Sequence, residues 1–138
     1  MTQAEIAHQH FTHRLAVETD ADDVAEAIRE GTQDFVLIDA RNADAYAAGH
    51  LPGAISLYHR GITLQALDAL PPGPIVVYCW GPGCNGAAKA GAKISGLGRE
   101  VREMLGGFEY YVREGHPVEG ERTFELEPDL SGLVCVVA

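Results

Sequence analysis

The stretch Tyr78-Cys79-Trp80-Gly81-Pro82-Gly83-Cys84-Asn85-Gly86 decides how the rest of this chain is read. Ahead of it stands Ile75-Val76-Val77, a short β-branched run of the kind that fills a buried strand. Behind it, Ala87-Ala88-Lys89-Ala90-Gly91-Ala92-Lys93-Ile94 is alanine-rich and predicts a helix despite Gly91. A cysteine therefore closes a buried strand, and a glycine-rich loop leads from it into a helix. Unpaired N–H groups at a helix start and in a curled loop favour an anion and draw a thiol's pKa down. The expectation is an activated thiol at Cys79, cradled by the N–H groups of Trp80, Gly81, Gly83, Cys84, Asn85 and Gly86; Pro82 has none to give.

Upstream, residues 3–13 hold Ile6, His10 and Phe11 and predict a short helix or a loose extension, so 1–14 reads as an N-terminal extension. His8, His10 and His13 lie there, but no carboxylate or cysteine completes a metal site, and none is expected. Leu15-Ala16-Val17 is a strand candidate. Thr19 or Asp20 then caps a helix with Val24, Ala27 and Ile28 on one face and Gly31 beyond its end. Phe35-Val36-Leu37-Ile38-Asp39 is an unbroken apolar run, the mark of a strand covered on both faces. Asn42 or Asp44 opens a helical turn that Gly49 stops, and Ala54-Ile55 begins another short strand. Gly61 to Leu70 reads as helix, and Pro71-Pro72-Gly73-Pro74 breaks it.

Downstream, Glu100 to Leu105 predicts a strand, Gly106-Gly107 a turn, and Phe108 to Glu114 a last helix. Helix and strand alternate, which predicts an α/β fold with a parallel sheet covered on both faces. Ligands of such sheets sit beyond the carboxyl ends of the strands, where Cys79 falls. The tail, 119–138, carries Leu133-Val134-Cys135-Val136-Val137, either an added strand or an apolar terminus, with Cys135 inert.

Composition narrows the function. A hydrophobic fraction of 46% and a charged fraction of 22% fit one globular domain. The net charge of −10 disfavours nonspecific nucleic-acid binding and docking on anionic lipid. It also repels small anions unless a pocket carries its own donors. No run approaches the roughly 18 apolar residues of a membrane span, and the N-terminus lacks the basic and apolar regions of a signal peptide. Three cysteines with one close pair fit a reduced, cytoplasmic setting better than a disulfide framework.

Taken in order, four segments resemble a single rhodanese-like (sulfurtransferase) domain over about residues 15–118. They are Phe35 to Arg41; Tyr46 with Gly49-His50-Leu51-Pro52-Gly53-Ala54-Ile55; Val76-Val77-Tyr78-Cys79; and Met104-Leu105-Gly106-Gly107-Phe108. The resemblance implies that Cys79 takes a sulfane sulfur as a persulfide and passes it to a thiol or other nucleophile. It implies no cofactor, a small donor such as thiosulfate or an organic persulfide, and a thiol or protein acceptor. Asp39 and Arg41 are then structural, bracing the neighbouring loop, and His50 is a hydrogen-bonded turn residue. The chain departs from the family pattern in two ways. The loop reads as longer than usual, with a second cysteine, and no Lys or Arg lies between Cys79 and Lys89 to grip an oxyanion. Arg60, after Ile55, is the one candidate for lending a charge across the pocket.

Alternative chemistries share this pattern. A phosphatase or arsenate reductase would need an arginine for its oxyanion, yet Asn85 stands six residues after Cys79. A thiol–disulfide role would use Cys84 as the resolving partner, which also allows Cys84 to attack a persulfide on Cys79 and release sulfide. A persulfide carrier that docks on a partner would use Trp80 as its anchor.

Overall fold

The computed structural model describes residues 1–122. Its strands are β1 (Glu18–Asp20), β2 (Val36–Asp39), β3 (Ile55–Ser56), β4 (Ile75–Tyr78) and β5 (Val101–Leu105). Its helices are α1 (Gln3–Val17), α2 (Ala21–Glu30), α3 (Ala43–Ala48), α4 (Leu64–Asp68), α5 (Gly86–Gly96) and α6 (Gly107–Arg113). Capping follows the sequence: Asp20 Oδ1 accepts from the Asp23 N–H at 2.8 Å, Asn42 Oδ1 from Ala45 at 2.8 Å, and Gly31 ends α2 at φ 70°.

The strands form one parallel sheet in the order β1-β5-β4-β2-β3, with β4 in the middle. Side chains of β2 and β4 alternate between two apolar layers. Leu37, Val76 and Tyr78 meet Val24 and Ala25 of α2 and Phe108, Tyr111 and Val112 of α6. Val36, Ile38, Ile75, Val77 and Cys79 meet Leu67 of α4 and Ala87, Ala90 and Ile94 of α5. Burial on both faces explains why these strands read as unbroken apolar runs, each filled Leu, Ile or Val adding roughly 1.5–3 kcal/mol. The predicted α/β class, a parallel sheet between helices, is what forms.

Two expectations need correction. Leu15-Ala16-Val17 is not a strand: α1 runs through it to Val17, started by a Thr2–Glu5 capping box. The first strand is instead the polar Glu18–Asp20, held by parallel pairing with β5 rather than by apolar burial. The span from Gly61 to Leu70 is not one helix but a 3-10 turn at His59–Gly61, a Thr63 cap and the shorter α4. No residue of α1 is buried, and Ile6, Phe11 and Leu15 are exposed. Among the described residues no helix is long and apolar enough to cross a membrane. The readings of Leu133–Val137 and of Cys135 lie outside the described residues.

Candidate active site

Cys79 follows the last residue of the central strand, so backbone pairing fixes it from both sides. The Tyr78 carbonyl accepts from Ala40 N–H at 2.9 Å, and the Cys79 carbonyl accepts from Phe108 N–H at 2.9 Å. The Trp80 carbonyl accepts from Glu109 N–H at 2.7 Å. The start of α6 thus clamps the loop's first two residues. Such an approach needs Gly107: a Cβ there, at φ 62°, would lie 2.7 Å from Gly81 N and 2.8 Å from Cys79 O.

The loop closes on itself through a turn. Cys84 N–H donates to Gly81 O at 3.0 Å, with Pro82 and Gly83 at its corners. The turn carries the second thiol back to the first: Cys84 Sγ lies 3.2 Å from Cys79 Sγ, and both thiols are free. Gly86 N–H points at Cys84 Sγ at 3.4 Å, and its Cα backs against Cys79, where a Cβ would come within 2.5 Å of Sγ.

This arrangement revises the picture of an activated Cys79. Burial pushes the Cys79 thiol up, the hydrogen bond to Cys84 raises it further, and the Trp80 N–H only partly offsets them, leaving it at about 12. Burial also raises Cys84, but the N–H groups of Gly86 and Trp80, the Cys79 hydrogen bond and the charge of Lys89 together hold it below the ordinary thiol value. The two thiols share one hydrogen bond and titrate as a pair, with Cys79 the member that burial holds high. Of the expected cradle, Trp80 and Gly86 reach sulfur, whereas the Cys84 N–H is spent on the turn. Replacing Cys84 with alanine removes two of the causes that raise Cys79. The Cys79 thiol of Cys84→Ala should then titrate below its wild-type value, read by thiolate absorbance or the pH dependence of alkylation. An unchanged or higher value would refute the part given to Cys84 in holding Cys79 high.

Arg41 and Asp39 form a fully buried ion pair beneath the loop, at 2.7 Å between Nη2 and Oδ2. Arg41 Nε and backbone N–H also reach Asp39 Oδ1, at 3.1 and 2.9 Å, and Nη2 donates to the Gly49 carbonyl. Tyr78, whose hydroxyl burial keeps protonated, donates to Asp39 Oδ2 at 2.8 Å and accepts from Leu51 N–H at 3.1 Å. The guanidinium lies 4.1 Å from the Phe108 ring centroid and 4.5 Å from that of Trp80. The indole, 47% exposed, is therefore fixed from beneath and open above. His50 is a satisfied turn residue, its Nδ1–H donating to Tyr46 O at 2.7 Å and its ring stacked on Tyr46.

Arg60 lies over the Tyr58 ring, and its charge acts on His59. A cation whose charge acts on Cys84 is Lys89. Its position three residues into α5 from Gly86 was the available signal. Arg60, Lys89 and Lys93 all act on His59, whose pKa falls mainly through burial and then through these charges. Three cations thus act on one histidine in a chain whose net charge is −10.

Two thiols 3.2 Å apart at the carboxyl edge of a parallel sheet define a thiol-centred α/β protein. Comparison with known proteins makes the class specific. The Rhodanese-like domain family matches residues 20–114, and the chain belongs to that family. It is 33% identical over 96 residues to the thiosulfate sulfurtransferase GlpE of Pseudomonas syringae pv. syringae, covering 69% of this chain and 86% of that one. It is 32% identical over 91 residues to the HTH-type transcriptional regulator Rv0324 of Mycobacterium tuberculosis, covering 66% of this chain but only 40% of the regulator. The crystal structure of BH2092 from Bacillus halodurans superposes with a TM-score of 0.82 at 39% identity, covering 86% of this chain and 87% of that one.

Proposed function

We propose that this chain is a sulfurtransferase that receives a sulfane sulfur on Cys79. The observation that carries the reading is the position of Cys79 just beyond the central strand, its carbonyl held by the Phe108 N–H at the start of α6. With thiosulfate as donor, the Cys79 Sγ gives up its proton to solvent and attacks the outer sulfur. The donor's S–S bond breaks, sulfite leaves with the bonding pair, and Cys79 holds a persulfide anion. The Trp80 N–H remains to stabilise that anion, and Lys89 supplies the positive charge that the loop itself lacks. The likeness to a thiosulfate sulfurtransferase supports this donor; a small organic persulfide would react by the same displacement.

The test is a single turnover of the reduced chain with thiosulfate and, separately, with a small organic persulfide. One equivalent of sulfite should appear with thiosulfate, and Cys84→Ser protein should become one sulfur atom heavier, on the peptide bearing Cys79. Neither change in Cys79→Ser completes the expectation. Failure of both donors to add sulfur to Cys84→Ser, or sulfur found on another residue, would overturn it.

A further inference from the structure

We propose that the first acceptor of the sulfur is Cys84 itself, which attacks the Cys79 persulfide, releases sulfide and leaves a Cys79–Cys84 disulfide. This inference rests on the acceptor role of Cys79 set out above and adds what becomes of the sulfur.

The two sulfurs already lie 3.2 Å apart with no side chain between them. An ordinary disulfide is about 2.05 Å long, so the bond needs a closure of only about 1.2 Å. The Gly81–Cys84 turn can supply it, since Gly83 adjoins Cys84 and only one backbone hydrogen bond closes the turn. Access separates this attack from any other. Cys79 is 5% exposed and backed by Gly86, so a thiol arriving from solvent meets the outer sulfur of a persulfide and can only carry it away. Cys84 stands inside the loop against the inner sulfur, and attack there expels the outer one.

The step is Cys84–SH plus Cys79–S–S⁻ giving Cys84–S–S–Cys79 plus HS⁻. The Cys84–Sγ bond to Cys79 Sγ forms, the persulfide S–S bond breaks, and the proton departs with the sulfide. The sulfane sulfur is reduced by two electrons and the thiol pair is oxidised by two. A dithiol reductant, or two equivalents of a monothiol, restores the pair by exchange. Oriented partners in one molecule reach effective concentrations of roughly 10⁵ M or more. Millimolar free thiol should therefore lose the competition, and the overall reaction becomes reduction of sulfane sulfur to sulfide at the expense of a dithiol.

The experiment charges anaerobic, fully reduced chain, without added reductant, using the donor that adds sulfur to Cys84→Ser. Wild type should release one equivalent of sulfide and then stop, with a Cys79–Cys84 bridge found by alkylation and peptide mapping. Adding a dithiol should restore repeated turnover. Cys84→Ser should keep its sulfur and release no sulfide. A wild-type chain that stays one sulfur heavier without releasing sulfide would overturn the inference while leaving Cys79 as sulfur acceptor. A bridge to Cys135 would overturn it too. No uptake even by Cys84→Ser would remove the proposed function itself, and this inference with it.

Discussion

Arg41→Met should lower stability by about 3–5 kcal/mol, the cost of leaving one member of a buried ion pair without its partner. For a domain of this size, that corresponds to a fall of roughly 10–20 °C in the thermal midpoint. The geometry explains why the effect should sit at the top of that range. Both side chains are fully buried, and Asp39 would keep only Tyr78 and the Arg41 backbone N–H as donors. Gly49 O would lose its side-chain donor as well. Lysine should recover little, because an ammonium cannot span Asp39 and Gly49 while lying flat against Phe108 and Trp80. Replacing Asp39 by leucine and Tyr78 by phenylalanine together with Arg41→Met removes the orphaned charge and hydroxyl, and should regain part of the loss. Trp80 is the chain's single tryptophan, so its fluorescence reports on the loop directly. Thermal melts followed by circular dichroism and by that emission should both shift. A variant that melts within about 1 kcal/mol of wild type would show that the pair does not brace the site, since surface pairs contribute no more than that.

How much of this was legible beforehand follows from which forces are local. The two buried strands and the small-residue helix α5 declare themselves by composition, because burial on both faces leaves no polar position in Val36–Ile38 or Ile75–Val77. The polar Glu18–Asp20 gives no such signal: its strand character comes from β5, more than eighty residues away in sequence, through backbone pairing alone. The Leu15–Val17 run misled because three apolar residues fit either geometry, and the Thr2 cap that commits the helix lies thirteen residues earlier. At the site, the sequence places Cys79 and names its N–H donors but cannot say where they point. Folding of Gly81–Cys84 into a turn consumes one donor and delivers a second sulfur to within 3.2 Å of the first. Composition likewise hides Lys89, whose field reaches Cys84 only because α5 begins at Gly86.

Gly86→Ala should cut the rate of sulfur uptake on Cys79 about 100-fold, the usual cost of misplacing a reacting atom by an ångström. The added Cβ would lie 2.5 Å from Cys79 Sγ, closer than any real contact, while touching Cys84 Sγ at an ordinary 3.4 Å. Gly86 does not have a left-handed φ, so its backbone accepts alanine without strain, and alanine favours a helix by up to about 1 kcal/mol over glycine. The collision with one sulfur and the gain in helix propensity thus act in opposite directions. They can be separated by removing the sulfur. In a Cys79→Ala background the same Gly86→Ala change should raise the thermal midpoint, whereas with Cys79 present it should leave it level or lower it. Uptake is read as sulfite released per chain, and stability by thermal melting of all four combinations. Full-rate uptake by Gly86→Ala, or stabilisation of equal size with and without the thiol, would mean that Cys79 Sγ does not rest against the first residue of α5. The positioning of the reacting sulfur would then owe nothing to the missing side chain at Gly86.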